Sequence, residues 1–264
     1  MKRVALLVLI LSAVVMIAFK GRKSEVVRLE GQAMGCAWSL AYEGDASADV
    51  RRVVAEELEL WEQVMSQWRK DSDLSRFNRG EAASAELLRV IALAQTMKVA
   101  SGSAFDYELL EQVHASGFGP EGKGVDLSGI GKGFAVDRVG ERLRSLGVHR
   151  FVFELGGEVL AGDGEWKLAI ESPLIDGNAE ILTVTNRAVA TSGNYQQFRE
   201  TGNGLASHLI DPETGSPVLR PRCSVTVLAD DCATADAWAT ALFVLGPEAR
   251  PDGAPEFFWS FGDD

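Results

Sequence analysis

Cysteine is scarce in this sequence. The chain of 264 residues has three cysteines, Cys36, Cys223 and Cys232, and their spacing matches neither a zinc motif nor a disulfide framework. We expect small buried side chains at these positions, although a bridge between Cys223 and Cys232 stays open in an oxidising compartment. The cysteine pattern therefore argues against a disulfide-stapled scaffold and against a cysteine-rich metal domain.

Basic residues are also in the minority. The chain has 26 Lys and Arg against 38 Asp and Glu, which gives a formal net charge of −12. Nucleic-acid binding relies on clustered Lys and Arg, so we expect no nucleic-acid partner. A local pocket with a Lys or a metal ion can still bind an anion against this overall charge. The hydrophobic fraction of 46% is that of a folded chain, for which we expect a single domain.

Long apolar runs are absent except at the amino terminus, where residues 4–19 are apolar and basic residues flank them on both sides. This arrangement is typical of an export signal. The run is short for a complete membrane span, but no clean cleavage site follows it, so an uncleaved anchor stays open. We expect residues 1–24 to be a signal or anchor. The remainder would then work in the periplasm or on the outer face of the cytoplasmic membrane, with membrane association through residues 4–19.

Hydrophobic periodicity predicts helices mainly in the first half and short strands later. Alternation over residues 33–42 predicts a strand, and three- and four-residue steps predict helices over 47–66, 84–100 and 232–245. Ser47 is the expected N-cap of the first helix. Residues 150–228 read as short strands separated by turns. This order favours an α+β fold over a regular doubly wound sheet.

A polar stretch, residues 65–79, separates the first two helices and is expected to be a loop. Long loops inside a domain are often functional. Trp68 in this stretch would either stack on a flat ring or lie on a solvated surface.

The glycine-rich stretch over residues 125–137 resembles an anion-binding turn. Gly129, Gly131 and Gly133 allow close backbone approach, a helix begins there, and Lys132 adds positive charge. The spacing is not that of a dinucleotide-binding fingerprint, and the residue after Lys132 excludes a Walker loop. An ordinary loop-to-helix junction is the alternative interpretation.

Two further groups of residues could carry chemistry. Asp236 and Thr240 stand four apart on one face of the last predicted helix, and such oxygen donors suit a hard cation such as Mg2+, although the same pair often only caps or solvates a helix. Among three histidines, His208 stands out because Ser207 precedes it and a polar turn follows.

Eight blocks in one order resemble the ApbE family, the FAD:protein FMN transferases. They are Met34-Gly35-Cys36, Met65-Ser66-Gln67-Trp68 with Ser75-Arg76-Phe77-Asn78, Ala104-Phe105-Asp106, Asp126 to Gly133, Gly156-Gly157-Glu158, Ala190 to Tyr195, Ser207 to Pro212 and Ala235 to Leu242.

The resemblance implies an α+β, T-fold-like catalytic domain over residues 25–246 that follows the signal or anchor. It implies FAD as substrate, Mg2+ on its pyrophosphate, and transfer of FMN to a Thr of a flavin-accepting subunit of a membrane redox complex, with release of AMP. FAD hydrolysis to FMN and AMP and non-catalytic flavin binding are the alternatives.

The same resemblance assigns roles to individual positions. Metal binding falls to the Gly129 carbonyl with Asp236 and Thr240, and His208 would take the proton of the acceptor hydroxyl. Lys132 would stabilise charge on the leaving AMP. The positions expected to contact FAD are Met34, Trp68, Ala104, Phe105, Asp106, Asp126, Lys132 and Ile210.

The sequence also departs from the family pattern. Cys36 stands where Thr is usual, Trp68 where Tyr is common, and Glu158 or Asn194 where Asp is frequent. The tail, residues 247–264, is rich in Pro and Gly, and it is expected to break the closing helix and strand of the family. A missing strand would leave an exposed sheet edge or one that another chain covers.

Overall fold

A computed structural model of the protein describes residues 26–44, 48–171, 180–195, 198–201 and 204–262. The predicted signal or anchor, residues 1–24, and the predicted N-cap Ser47 lie outside these ranges. Within them, no helix combines the length and the apolar composition that crossing a bilayer requires.

In the described residues, two strands are followed by five helices, nine strands, a sixth helix and a last strand. The helices are α1 (Ala48–Met65), α2 (Asp73–Asn78), α3 (Ala85–Ala100), α4 (Leu110–Ala115), α5 (Gly131–Ser145) and α6 (Cys232–Leu245). The strands are β1 (Val26–Ala33), β2 (Cys36–Glu43), β3 (Phe151–Leu155), β4 (Glu158–Ala161), β5 (Trp166–Ile170), β6 (Glu180–Val184), β7 (Ala188–Gly193), β8 (Phe198–Thr201), β9 (Gly204–Asp211), β10 (Ser216–Arg220), β11 (Cys223–Ala229) and β12 (Glu256–Phe261).

The main sheet has seven strands in the order β1-β2-β3-β4-β7-β11-β12, and its pairs are antiparallel. Helices α5 and α6 pack on one face, and α1 packs against α5, which encloses the main core. The β5–β6 hairpin contributes a second apolar cluster, which includes Val152 and Val189 of the main sheet. This layering of helices on an antiparallel sheet confirms the predicted α+β class.

The strand predicted over residues 33–42 is in fact the second half of a hairpin. Strand β1 ends at Ala33 and β2 begins at Cys36, because Met34 and Gly35 have φ values of 51° and 77° and reverse the chain. The predicted alternation holds within β2, where Trp38, Leu40 and Tyr42 are buried in the main core.

The prediction of a loop over residues 65–79 is wrong for the second half of this stretch, which forms α2. The hydroxyl of Ser72 accepts a hydrogen bond from the Ser75 N–H at 3.0 Å, so this short helix has a side-chain N-cap. Because this helix is short and polar, its sequence shows no hydrophobic periodicity that would predict it. The helix predicted over 84–100 is confirmed as α3, with Ser84 as its N-cap.

The tail does not break the sheet, contrary to the expectation from its composition. Strand β12 pairs with β11 from Glu256 opposite Leu228 to Phe261 opposite Cys223. The ring of Trp259 stacks on Phe261 at a centroid distance of 6.1 Å. The strand that follows the Pro- and Gly-rich turn is rich in aromatic residues, and rings on alternate residues stabilise it by packing on one face of the sheet.

Both ends of α6 are held by side chains from other elements. The Asp137 carboxylate of α5 accepts hydrogen bonds from the N–H groups of Cys232 and Ala233 at 2.8 and 2.9 Å. At the other end, the Arg220 guanidinium donates to two carbonyls of the last turn at 3.1 and 2.9 Å. Groups that a helix leaves unsatisfied at its ends are thereby partnered, and α6 is fixed against α5 and β10.

The three cysteines are free thiols, and Cys223 and Cys232 are buried. The bridge between these two that the sequence left open is not formed.

Candidate active site

The turn before α5 is held to the segment that precedes it by buried hydrogen bonds. The Asp126 N–H donates to the Tyr107 carbonyl at 2.7 Å, and the Asp126 carboxylate accepts from the Ser128 N–H at 2.8 Å. Burial raises the pKa of Asp126, and the hydrogen bond from Ser128 opposes this rise. Asp126 therefore fixes the turn from inside instead of lying in solvent.

Helices α5 and α6 approach so closely at Gly133 that a side chain has no room. A Cβ at this position would lie 2.8 Å from Cβ of Asp236, and nearer still to the carbonyl oxygen of Cys232. The Gly133 N–H donates to Oδ2 of Asp236 at 3.0 Å. Burial raises the pKa of Asp236, and the charge of Lys132 works against that rise. The glycine is thus required for helix packing and also orients the Asp236 carboxylate.

Gly129 brings the turn against Thr240, one helical turn beyond Asp236. A Cβ at Gly129 would lie 3.0 Å from Oγ1 of Thr240 and 3.3 Å from the Phe105 ring. Gly129 therefore contacts Thr240 directly, and Asp236 is one turn away on the same helix, although more than a hundred residues separate Gly129 from α6. A carboxylate, a hydroxyl and a carbonyl are ligands that suit Mg2+. In the described ranges, no group of three or more His, Cys, Asp or Glu residues is arranged to hold a metal.

Lys132 pairs with a buried carboxylate that faces it from the β3–β4 turn. Its Nζ lies 2.6 Å from both carboxylate oxygens of Glu158 and 3.3 Å from the Gly156 carbonyl oxygen. Burial alone would lower the pKa of Lys132, but the negative charges of Glu158 and Asp236 outweigh it and raise this pKa. Lys132 is therefore a charged side chain that neutralises two buried acids.

Glu158 is the site residue that reasoning from the sequence missed. It is 3% exposed and is the first residue of β4, directly after a two-glycine turn. Burial raises the pKa of Glu158, and Lys132 counteracts this effect. The only signal in the sequence was its place in the Gly156-Gly157-Glu158 block, which says nothing about a partner on α5.

The β3–β4 turn lies beside the β1–β2 turn, which brings Cys36 to the same place. A Cβ at Gly156 would lie 2.7 Å from Sγ of Cys36. Burial raises the pKa of Cys36 to about 11, even though the charge of Lys132 lowers it in part. The thiol is therefore neutral at physiological pH and packs as a small apolar group.

Met34 adopts a left-handed backbone conformation, which is uncommon for a residue with a Cβ. Its N–H donates to Oε2 of Glu62 at 3.0 Å, and Arg69 holds the other oxygen of that carboxylate at 3.1 Å. This strained position beside the site is fixed by α1 and by the connection that follows it.

The other predicted flavin contacts lie on the surrounding segments. Ala104 and Phe105 are buried, and the Asp106 carboxylate pairs with Nζ of Lys98 at 2.8 Å. Trp68 is 67% exposed on the connection between α1 and α2. An exposed indole ring is available for stacking, whereas Asp106 is already engaged by a cation.

His208 and Ile210 lie on β9, the middle strand of a separate three-stranded sheet in the order β10-β9-β8. Strand β9 packs on α6 and on α4. Ile210 is buried, and the half-buried His208 ring meets Phe118 edge-on at a centroid distance of 6.3 Å. This strand thus lies next to the helix that carries Asp236 and Thr240.

The arrangement combines features that suit a polyanionic ligand and a hard cation. Lys132 supplies positive charge, the turn at Gly129 supplies backbone groups, and α6 supplies carboxylate and hydroxyl oxygens. Such a site favours charge neutralisation during phosphoryl transfer over covalent catalysis by the protein.

Comparison with known proteins gives one consistent result. The family model described as the ApbE family matches residues 34–125 and 120–256. A curated FAD:protein FMN transferase of Vibrio cholerae is 33% identical, with 90% of this chain and 87% of that protein covered. A relative of the same name from Escherichia coli K12 is 29% identical, with 87% and 81% covered.

Solved structures agree with the sequence relatives. The flavin transferase ApbE from Vibrio cholerae superposes with a TM-score of 0.75 at 30% identity, over 90% of this chain and 98% of that chain. The apo form of the Pseudomonas stutzeri flavinyl transferase ApbE gives a TM-score of 0.77 at 28% identity, over 85% and 86%. The fold, the ordered sequence blocks and these matches lead to the same conclusion: the chain belongs to the ApbE family.

Proposed function

We propose that this protein transfers FMN from FAD to a threonine hydroxyl of an acceptor protein, in a reaction that needs Mg2+ and releases AMP. As a member of the ApbE family the chain is a transferase, and its curated relatives from Vibrio cholerae and Escherichia coli are named FAD:protein FMN transferases. The acceptor is proposed to be a flavin-accepting subunit of a membrane redox complex.

In the proposed reaction, the hydroxyl oxygen of the acceptor threonine attacks the phosphorus of the FMN half of FAD. The bond from that phosphorus to the bridging oxygen breaks, a phosphoester to threonine forms, and AMP carries the bridging oxygen away. His208 is proposed to take the hydroxyl proton. Lys132 stabilises the negative charge on the leaving group, and the exposed Trp68 ring is available to stack on the flavin.

The observation that supports this proposal most is the contact of the Gly129 turn with Thr240, one helical turn from Asp236. We propose that these three residues hold Mg2+, which when bound neutralises the pyrophosphate charge. Gly133 orients the Asp236 carboxylate through its N–H, so the backbone of α5 prepares one ligand before any cation binds.

The test is to incubate the purified protein with FAD, Mg2+ and a flavin-accepting subunit. We expect a fluorescent acceptor band in a denaturing gel and one AMP per label, with both lost on adding EDTA or replacing the acceptor threonine with valine. Asp236→Asn is expected to lower the rate by roughly a hundredfold or more. Asp230→Asn is the matched control, because that side chain is 98% exposed.

Two outcomes would replace the proposal with one of its alternatives. Full release of AMP without a labelled acceptor would identify an FAD pyrophosphatase. Tight binding of intact FAD that needs no Mg2+ and yields no AMP would identify a non-catalytic flavin-binding protein.

We also propose that the transfer takes place outside the cytoplasm, because residues 4–19 form an apolar run between basic residues. Cell fractionation of the full chain is expected to place it in the periplasm or with the membrane. Recovery in the cytosolic fraction would contradict this location.

A further inference from the structure

The Lys132 ammonium is fully engaged before any ligand arrives. An ammonium group has three N–H donors, and here three oxygens lie around it. Two are the carboxylate oxygens of Glu158 at 2.6 Å, and the third is the Gly156 carbonyl oxygen at 3.3 Å. A phosphate can therefore bind Lys132 only if at least one of these contacts is given up.

The carboxylate side of this pair is rigid. Glu158 is 3% exposed and begins β4, where it pairs with Leu155 across the two-glycine turn. Backbone bonds fix that turn, since the Gly156 N–H donates to the Ala37 carbonyl at 3.1 Å. Any exchange of partners must therefore come from movement of the lysine.

The lysine side of the pair has more room to move. The Lys132 side chain is 31% exposed, against 4% for the side chain of Glu158. Its four-carbon stem allows the ammonium to move while α5 stays packed on α6. A small rotation of this side chain is enough to turn one N–H from a carboxylate oxygen toward a neighbouring anion.

A carboxylate and a phosphate present the same kind of acceptor to an ammonium, an anionic oxygen at short distance. We propose that Glu158 occupies on Lys132 the place of a phosphate oxygen of the substrate, so that pyrophosphate binding exchanges a Glu158 contact for a phosphate contact. This inference rests on the proposed use of the site for FAD. Glu158 is then a positioning residue that holds Lys132 at the site and competes with the ligand for it.

Glu154, on the strand that leads into this turn, offers a matched control. Its carboxylate accepts hydrogen bonds from the Gly157 N–H at 3.0 Å and from the Ser39 hydroxyl at 3.3 Å. Glu154→Gln and Glu158→Gln remove the same charge from the same neighbourhood, but only Glu158 binds the Lys132 ammonium. A general effect of charge on anion binding would therefore appear in both variants.

The experiment measures binding of inorganic pyrophosphate by calorimetry at constant Mg2+. Glu158→Gln is expected to bind about tenfold more tightly than the wild type, because a neutral amide releases the ammonium. Glu154→Gln is expected to change the affinity by less than about threefold. In a Lys132→Met background, Glu158→Gln should have no larger effect than Glu154→Gln, because the competition needs the lysine.

Three results would overturn the inference: equal tightening in the Glu154→Gln variant, weaker binding in Glu158→Gln, or no pyrophosphate binding to either protein. If Glu158→Gln does not fold, Glu158→Asp serves instead, since its shorter side chain keeps the charge but not the geometry. An intermediate gain of about threefold is then expected, and an unchanged or weaker affinity would count against the inference.

Transfer assays separate this inference from the proposed function. In an active transferase, Glu158→Gln should lower the KM for FAD, a change that mere loss of structure does not produce. Tightening of pyrophosphate binding in a protein that transfers no FMN would leave the exchange intact and remove the transferase proposal. FMN transfer whose KM for FAD does not change in Glu158→Gln would support the transferase proposal and overturn the exchange.

Discussion

The α5–α6 junction and the β11–β12 edge both join segments far apart in the chain, but they do so by different means. At the junction, backbone meets backbone at Gly133, and the carboxylates of buried Asp236 and half-buried Asp137 accept main-chain N–H groups. At the edge, the rings of Trp259 and Phe261 stack on a surface that is half open to solvent.

The two contacts differ in how well they tolerate a substitution. Backbone atoms and buried charges cannot move aside cheaply, so the junction has one acceptable arrangement. Stacked rings at an edge adjust by small rotations and lose only part of their burial when one is changed. Lys132, Asp236 and Thr240, which we propose to act on the pyrophosphate and its metal, lie at the junction, where the precise placement that such a reaction needs is available.

The largest expected effect is that of Gly133→Ala. Its Cβ would lie 2.8 Å from Cβ of Asp236, so the helices must separate, and we expect a loss of about 3–5 kcal/mol in the free energy of unfolding. Gly131→Ala is the control, because the nearest atom to its Cβ is Sδ of Met65 at 3.6 Å. Urea denaturation of both variants checks this, and equal stabilities would show that the junction is not tight.

Lys132→Met comes second and would break the charge balance of the junction. It leaves Glu158 and Asp236 buried without their cation, so we expect a loss of about 2–3 kcal/mol in the free energy of unfolding and weaker, still measurable pyrophosphate binding. A role in ligand binding alone would leave the fold intact. Lys123→Met, at an exposed position, is the control in thermal unfolding. Unchanged stability in Lys132→Met would mean that the two acids need no counter-ion.

The third prediction concerns pH. Burial raises the pKa of Asp137 to about 7, despite its two backbone hydrogen bonds. The folded state therefore binds a proton more tightly than the unfolded state, so this group's stabilisation is complete at low pH and is lost as pH rises through about 7.

Asp137→Asn removes this titration. Between roughly pH 5 and pH 8 the wild type should lose about 1–2 kcal/mol relative to Asp137→Asn, measured by urea denaturation at each pH. Asp230→Asn, at an exposed position, should run parallel to the wild type. If the difference in free energy of unfolding between the wild type and Asp137→Asn does not change with pH, the pKa of Asp137 in the folded state is ordinary.

The smallest expected effect is at the edge. Phe261 is 55% exposed, so Phe261→Ser should lower the free energy of unfolding by less than about 1 kcal/mol and leave pyrophosphate binding unchanged. Urea denaturation and calorimetry measure both quantities. A loss above about 3 kcal/mol in the free energy of unfolding would show that the edge tolerates substitution no better than the junction does.

The sequence predicts the junction better than the edge, because the helical period of α6 is clear and the glycine-rich stretch marks where α5 begins. The spacing of Asp236 and Thr240 also shows in the chain, since residues four apart share a helix face. Strand β12 was missed because the Pro- and Gly-rich turn before it masks the alternation of its rings. Helix α2 was missed because a short polar helix has no apolar stripe.

The pairing of Lys132 with Glu158 depends on tertiary structure and has no local signal. It requires that the β3–β4 turn lies opposite the first turn of α5, which follows from the strand order and not from either segment. The left-handed Met34 is similar, because only the tight two-residue turn between β1 and β2 imposes that conformation. Long-range contacts of this kind are what a single sequence does not predict.

The anchoring of α6 at both ends has a consequence for motion. With Asp137 at its start and Arg220 at its end, the helix does not fray, so hydrogen exchange in its middle should follow opening of the whole domain, whereas β12 opens locally. Asp236 and Thr240 therefore move together as parts of one rigid helix. If the distance between α6 and the turn at Gly129 changes during turnover, it does so by rotation of α6 as a unit, and the separation of these two oxygen donors stays constant.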